Sequence, residues 1–350
     1  MRTLLGYTAI VAALLVPLVF ADTQSDTART PPSTLSPQWA KLWPSVVARS
    51  AASRSAPSPA PNDLQGWATQ QQTLEKNMAP LVGPALSVYQ VKMTEETLAG
   101  VPVLVLEPKG WRDDGRLLIY VHGGGFVSLS ARSTLFSSAL MANRTGMKVI
   151  SVDYTLAPHA RWQQITDQTI GVYKAVLAQG YRPESIGMWG DSAGGSIVAG
   201  SVLKLRDAGV PMPGALVLWA PWADVTGTGD TYVTLAAADP LLSMIQLKPA
   251  ADAYADPADQ KNPYVSPVYG DYSKGFPATL IQGGTREIFL SNCVREYQAL
   301  AAADIPVVLD LYEGMPHVFQ PMGPGSPEGG LAMRKVKAFW SEHLRARAAN

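Results

Sequence analysis

Short apolar runs and stretches of helical periodicity alternate along most of this chain. The apolar runs lie in RLLIYVHGG, MKVISVDY, SIGMWG, ALVLWAP, ATLIQGG and VVLDLYEG. Helical patterns lie between or after them, in DQTIGVYKAVLAQG, AGGSIVAGSVLKLRDAG, SNCVREYQALAAAD and SPEGGLAMRKVKAFWSEHLRARAA. Strands that are apolar throughout and separated by helices indicate βαβ units and a parallel sheet covered on both faces. The pattern therefore predicts an α/β fold with a mostly parallel central sheet flanked by helices.

The chain before this alternation has a different character. Residues 22–62 are rich in Pro, Ser, Thr and Ala, which predicts a linker or a loosely ordered arm with one short helix around WAKLWPSVVAR. A helix is predicted from Asp63 to about Met78, and residues 85–110 predict two strands joined by a turn at Ala99-Gly100.

A second departure follows the run ALVLWAP. Residues from about 222 to 277 contain many Pro and Tyr, short helical pieces and no clear strand. Such an insertion after a sheet strand predicts a lid, or cap, over a pocket, to which the N-terminal segment also contributes. A surface excursion without a role at the site is the alternative.

The first residues predict export. Arg2 precedes the apolar stretch LLGYTAIVAALLVPLVFA, and small residues precede a polar segment. This is typical of a signal peptide over residues 1–21, with cleavage after Ala21. The mature protein would then be secreted or periplasmic, without stable membrane insertion. An uncleaved anchor is the alternative, because the run approaches the length that spans a bilayer. The remaining residues, 63–350, are predicted to form one catalytic domain that includes the insertion.

Composition and charge exclude several classes of protein. Apolar residues make up 47% of the chain and charged residues 16%, so a large core can form. The formal net charge is zero, which argues against nucleic acid or an anionic membrane surface as the partner. Cys293 is the one cysteine, so no intramolecular disulfide can form, and its helical surroundings predict a buried apolar role. The sequence contains no metal-ligand cluster or phosphate-binding loop.

Ser192 is the candidate nucleophile. It lies in Gly190-Asp191-Ser192-Ala193-Gly194, which fits G-x-S-x-G between a predicted strand and a predicted helix. In that context the chain turns so sharply that only small neighbours fit, and the serine is exposed on the bend. The free N–H groups at the helix start also favour a developing negative charge. A tight turn without chemistry is the alternative.

A serine needs a base, and the chain has four histidines to supply it. In α/β-hydrolases the residues follow the order Ser, acid, His, with the histidine on the loop after the last strand. His317, in LYEGMPHVFQP, fits that place. His122 ends a strand, His159 lies in an earlier loop, and His343 lies in the last helix.

The acid is expected after the strand that precedes the histidine strand. Glu287 follows ATLIQGG and is the choice, with the role of orienting the imidazole and stabilising the imidazolium. Asp310 lies inside a strand, Asp304 lies before that strand, and Glu313 shares the loop of His317. A surface ion pair of Glu287 is the alternative reading.

An oxyanion hole is predicted from His122-Gly123-Gly124-Gly125, directly after an apolar strand. Consecutive glycines let backbone N–H groups approach a substrate oxygen without side-chain collision. The expected donors are the N–H groups of Gly124, Gly125 and Ala193.

Taken together, these motifs resemble the hormone-sensitive-lipase family of α/β-hydrolases, in its bacterial H-G-G-G esterase branch. The resemblance rests on HGGG, DYTLAP, GDSAGGS, GGTREIFLSN and EGMPHVF, in that order, and spans about residues 63–348. It implies the α/β-hydrolase fold and ester hydrolysis through an acyl-enzyme, without a cofactor. PWADVTGTG and ADPLL further resemble members that act on small acyl esters and lactones. Many relatives carry Asp where this chain has Glu287, and either residue can orient a histidine.

The leading hypothesis is therefore a serine esterase acting on a small-molecule ester or lactone. A serine peptidase on the same fold is one alternative, although no additional domain for binding peptides is visible. A ligand-binding protein on a hydrolase scaffold is the other, and such proteins typically lose the histidine. The sequence leaves the natural substrate, the chain-length preference and the oligomeric state open.

Overall fold

The computed structural model describes residues 27–55 and 57–347, and of residues 49–55 and Leu81 only the backbone. Its centre is one eight-stranded sheet with the strand order β1-β2-β4-β3-β5-β6-β7-β8. The pairs from β4 to β8 are parallel, whereas β1–β2 and β2–β4 are antiparallel. The strands are β1 Val91–Leu98, β2 Val101–Pro108, β3 Leu117–Val121, β4 Lys148–Val152, β5 Ile186–Asp191, β6 Ala215–Trp219, β7 Ala278–Gly284 and β8 Val307–Tyr312. The predicted α/β fold with a mostly parallel sheet is confirmed.

Helices cover both faces of the sheet. In β3, Leu117, Ile119 and Val121 enter one core, and Leu118 and Tyr120 enter the other, as a period of two requires. Helices α4, α5 and α8 pack on the first face, and α3, α9 and the end of α2 pack on the second. The helices are α1 Pro37–Ser55, α2 Leu64–Tyr89, α3 Leu135–Thr145, α4 Trp162–Ala178, α5 Ala193–Asp207, α6 Thr231–Thr234, α7 Met244–Tyr254, α8 Leu290–Ala301 and α9 Pro327–His343.

The N-terminal arm is more ordered than its composition predicts. Helix α1 has 19 residues, and its Trp39 and Trp43 are fully buried. They pack in one cluster with Met315 and Phe319, which flank His317 in sequence. Burial of two tryptophans explains why a Pro/Ser-rich segment docks, since such side chains carry large apolar areas.

Helix α2 is also longer than expected. It continues to Tyr89 through Pro80 and Pro84, so residues 85–89, predicted as strand, are helical. The turn at Ala99-Gly100 joins β1 and β2 as predicted.

The insertion between β6 and β7 contains α6, α7 and two short 3₁₀ turns, without a strand among its residues. Asp224 fixes its base to α8, because Arg295 Nη1 lies 2.5 Å from Asp224 Oδ2 and Tyr269 donates to the same oxygen at 2.9 Å. Asp224 is fully buried, so loss of one partner would leave a charge away from water.

Within the described ranges, no helix combines the length and apolarity needed to cross a bilayer. The predicted signal peptide, residues 1–21, lies outside those ranges, so it stays a prediction.

Candidate active site

Ser192 forms the bend between β5 and α5. Its backbone has φ 54° and ψ −124°, a conformation that L-residues rarely adopt. The flanking glycines leave the space that this bend needs. A Cβ at Gly190 would lie 2.4 Å from the Gly194 carbonyl carbon, and one at Gly194 would lie 2.1 Å from Val121 O. The sequence G-x-S-x-G is therefore explained by backbone packing.

Backbone hydrogen bonds fix this bend to the end of β6. The Ser192 N–H donates to Trp219 O at 2.8 Å, and the Ser192 carbonyl accepts from Trp222 N at 2.9 Å. The residue as a whole is 8% exposed. The hydroxyl is thus held at the carboxyl edge of the sheet, where α/β proteins place their ligand sites.

His317 and Glu287 meet at the same edge. Nδ1 of His317 donates to Glu287 Oε2 at 2.6 Å, which is the tautomer that a carboxylate partner selects. Glu287 is fully buried, and its Oε1 accepts the Gly284 N–H at 2.7 Å. The Phe289 ring meets the imidazole edge-to-face at 5.1 Å between centroids. The second nitrogen of His317 is therefore left free of the carboxylate.

The rival acids are engaged elsewhere. Asp310 Oδ2 accepts from Gln282 at 2.9 Å, and Oδ1 pairs with Lys335. Glu313 accepts from Thr285 Oγ1 at 3.0 Å. Asp304 is exposed and precedes β8. Of the carboxylates weighed from the sequence, the structure brings Glu287 to His317.

The imidazole lies at the same edge of the sheet as the bend, without a hydrogen bond to the serine. Among the described residues, no hydrogen bond joins Ser192 Oγ to His317. Burial raises the pKa of Asp191, and the Tyr120 hydroxyl, His122 and His317 oppose that rise, so His317 is within electrostatic range of the residue before Ser192. Such contacts are often long without substrate and shorten in the complex.

The glycine loop after β3 faces the bend. A Cβ at Gly123 would lie 3.0 Å from Ser192 Cβ, so this loop borders the nucleophile directly. Gly124 has φ 107° and Gly125 has φ 63°, values that favour glycine. Within the described ranges, the N–H groups of Gly124, Gly125 and Ala193 donate to no protein acceptor. The predicted donors are therefore available for a substrate oxygen.

His122 supports that loop from inside. It is fully buried and stacks on Tyr154 with 4.3 Å between ring centroids. Its Nδ1 lies 2.8 Å from Gly123 O, and burial lowers its pKa, so the ring is neutral at pH 7. His122 therefore packs within the core beneath the loop and, unlike His317, has no carboxylate among the described residues hydrogen-bonded to its ring.

Some residues at the site were not found from the sequence. Tyr120 donates to Asp191 Oδ1 at 2.5 Å, and Gln71 of α2 donates to Val127 O at 2.8 Å beside the glycine loop. The tyrosine in the otherwise aliphatic run LLIYV was a signal for the first contact. For Gln71, in a separate helix 56 residues away, no signal was present.

Comparison with known proteins finds the α/β-hydrolase fold and similarity to esterases. A family model described as the alpha/beta hydrolase fold matches residues 118–321. An acetyl-hydrolase of Streptomyces hygroscopicus is 33% identical over 228 residues, which cover 65% of this chain and 76% of that protein. An esterase of Acinetobacter venetianus is 34% identical over 227 residues, covering 64% and 74%. A crystal structure of an esterase from the bacterial hormone-sensitive lipase family superposes with a TM-score of 0.76 at 28% identity, covering 89% of this chain and 99% of that one.

Proposed function

Since the chain belongs to the α/β-hydrolase fold family and is a carboxylesterase-like hydrolase, we propose that it cleaves small acyl esters or lactones with Ser192 as nucleophile. The observation that carries the proposal is the His317–Glu287 contact of 2.6 Å at the sheet edge that also holds the Ser192 bend. A buried carboxylate bound to one imidazole nitrogen, with a serine on a strained turn nearby, matches the arrangement that activates a hydroxyl.

In acylation each of these groups has a distinct role. The free nitrogen of His317 takes the hydroxyl proton while Ser192 Oγ attacks the ester carbonyl carbon. Glu287 stabilises the imidazolium that forms. The N–H groups of Gly124, Gly125 and Ala193 bind the oxyanion. In sites of this kind, such stabilisation of the transition state is usually the largest single contribution to catalysis. His317 then returns the proton to the leaving alcohol, and an acyl-enzyme remains.

Deacylation repeats these steps with water. His317 takes a proton from water, the resulting hydroxide attacks the acyl carbon, and Ser192 leaves with the proton that His317 returns. With a lactone, acylation opens the ring and leaves the new hydroxyl on the acyl chain, and deacylation releases a single hydroxy acid.

A preference for short acyl groups is supported by aromatic rings beside the oxyanion loop. Four aromatic rings stack in a row, with 3.7 Å between the ring centroids of Tyr254 and Phe126. The centroid distance is 5.2 Å from Phe126 to Trp222 and 5.4 Å from Trp222 to Phe289. These four rings are at most 1% exposed. A Cβ at Gly125 would lie 4.0 Å from Trp222 Cζ3, so this ring of the stack borders the oxyanion loop.

The test measures hydrolysis of p-nitrophenyl acetate, butyrate, octanoate and dodecanoate, together with lactones, by wild type and Ser192→Ala. We expect the short esters to be preferred and kcat of Ser192→Ala to fall at least about a thousandfold. Ser201→Ala, which replaces a buried serine of α5, the helix that follows Ser192, is the matched control and should keep its activity. A burst of p-nitrophenol would report the acyl-enzyme.

Other outcomes would point elsewhere. A folded wild type that cleaves no ester favours a ligand-binding protein, and a preference for anilides or peptides favours a peptidase. An active Ser192→Ala removes this serine from the mechanism.

We also propose export with cleavage after Ala21. N-terminal sequencing of the mature protein should then begin at Asp22, and an intact N-terminus in the membrane fraction would contradict this.

A further inference from the structure

A second buried carboxylate lies next to the acid loop. Asp239 belongs to the insertion between β6 and β7 and is fully buried. Its Oδ1 accepts the N–H groups of Leu241 at 2.7 Å and Leu242 at 2.9 Å. Its Oδ2 accepts the Ile288 N–H at 2.8 Å. One carboxylate therefore joins the insertion to the residue that directly follows Glu287.

The residue before Glu287 is tied to the same segment. Arg286 Nε donates to Ala238 O at 3.0 Å. Its guanidinium also lies 5.1 Å from the Trp43 ring of α1. Both chain neighbours of Glu287 are thus held by two consecutive residues of the insertion.

We propose that Asp239 is a positioning residue, which fixes the loop of Glu287 through Ile288 and adds a further negative charge near the imidazolium of His317. This rests on the proposed roles of Ser192, Glu287 and His317. A hydrogen bond to an ionised acceptor is stronger than one to a neutral acceptor, so the bond to Ile288 restrains the loop best when Asp239 is charged.

The surrounding charges set the pH range of this effect. Burial raises the pKa of Asp239 to about 6, while its three N–H donors and the nearby His317 oppose that rise. Arg286 faces Asp239 from the acid loop, and the two groups interact electrostatically. Glu287 and His317 are the other charged groups of the acid and histidine loops, and Asp191 also interacts electrostatically with His317. Asp239 is therefore mostly ionised at pH 7 and loses its charge as the pH falls below 6.

The experiment compares Asp239→Asn with wild type on p-nitrophenyl acetate between pH 5 and pH 8. Asparagine keeps an oxygen for Leu241 and Leu242 but places an amide where Ile288 needs an acceptor. We expect kcat to fall about tenfold to a hundredfold at pH 7, as for a lost hydrogen bond to a charged group, with KM within about twofold. The acid limb of the kcat/KM profile should move to lower pH, because one negative charge near the imidazolium is gone.

Controls separate this idea from its premise. Asp230→Asn, an exposed aspartate of the same insertion, should leave kcat, KM and the limb unchanged. If Asp239→Asn does not fold by circular dichroism, Asp239→Ser is measured in the same way. An unchanged limb, an unchanged kcat or a change confined to KM overturns the proposal for Asp239. Activity of Ser192→Ala or Glu287→Gln at the wild-type level would instead overturn the proposed function.

Discussion

Replacing Glu296 by glutamine should change the stability of the protein in a pH-dependent way. The variant's free energy of unfolding, relative to that of wild type, should be higher at alkaline pH than at acid pH. Glu296 lies on α8 and is fully buried. Tyr272 donates to its Oε1 at 2.6 Å, while its Oε2 has no partner among the described residues. Burial raises the pKa of this carboxyl from 4.5 to about 7.

The size of the effect follows from that pKa. A carboxyl whose folded-state pKa is raised contributes stability below the unfolded value, and this is lost as the pH rises through the folded value. Each pKa unit corresponds to about 1.4 kcal/mol, so the whole change is about 3 kcal/mol. By proton linkage, roughly 2–3 kcal/mol of this loss in the free energy of unfolding occurs between pH 5 and pH 8. Glutamine keeps an oxygen for Tyr272 and does not ionise, so the variant lacks this pH dependence.

The assay is urea unfolding at pH 5 and pH 8, followed by tryptophan fluorescence. The free energy of unfolding of Glu296→Gln minus that of wild type should be larger at pH 8 by roughly 2–3 kcal/mol. Glu342→Gln, an exposed glutamate of α9, is the control and should give the same difference at both pH values. An equal difference at both pH values for Glu296→Gln would refute the reasoning.

Three further predictions concern the site and the arm. Gly124→Ala would place a Cβ 2.1 Å from Ser128 O at φ 107°, so kcat should fall about 10²–10³-fold. Gly180→Ala, where φ is also positive but the space is open, should leave kcat unchanged. Similar kcat values for both variants would contradict this. Glu287→Gln should lower kcat on p-nitrophenyl acetate about 10³–10⁴-fold, because the imidazole loses its charged partner, and a loss under tenfold would argue against that role. Trp39→Ala should lower the free energy of unfolding by about 3–5 kcal/mol in urea, and a change below about 1 kcal/mol would mean that the arm is not packed.

The sheet could be predicted from the sequence because its strands are apolar throughout. β3, β4, β5 and β6 are buried on both faces, so their runs stand out from the helices between them. The end of α2 could not be predicted in this way. Pro80 and Pro84 are expected to end a helix, and packing of Ala85 and Tyr89 in the core overrides that local preference.

Some residues of the candidate site could likewise be predicted from the sequence, and others could not. Ser192, Glu287 and His317 could be chosen because each follows an identifiable strand, and the carboxyl ends of parallel strands meet at one edge. The structure brings Glu287 and His317 into contact and leaves their roles as predictions. Asp239 could not be chosen, since it lies in an insertion without regular periodicity and its partner Ile288 is 49 residues away.

The docking of the arm has a consequence for synthesis of the chain. Ser36 binds Glu328 through both its N–H and its hydroxyl at 2.8 Å, across a separation of 292 residues. During translation the arm leaves the ribosome long before Glu328 is synthesised. Until then, Trp39 and Trp43 are exposed to water or bound by a chaperone. Closure of the two ends is therefore a late folding event, and it completes the surroundings of the loop that carries His317.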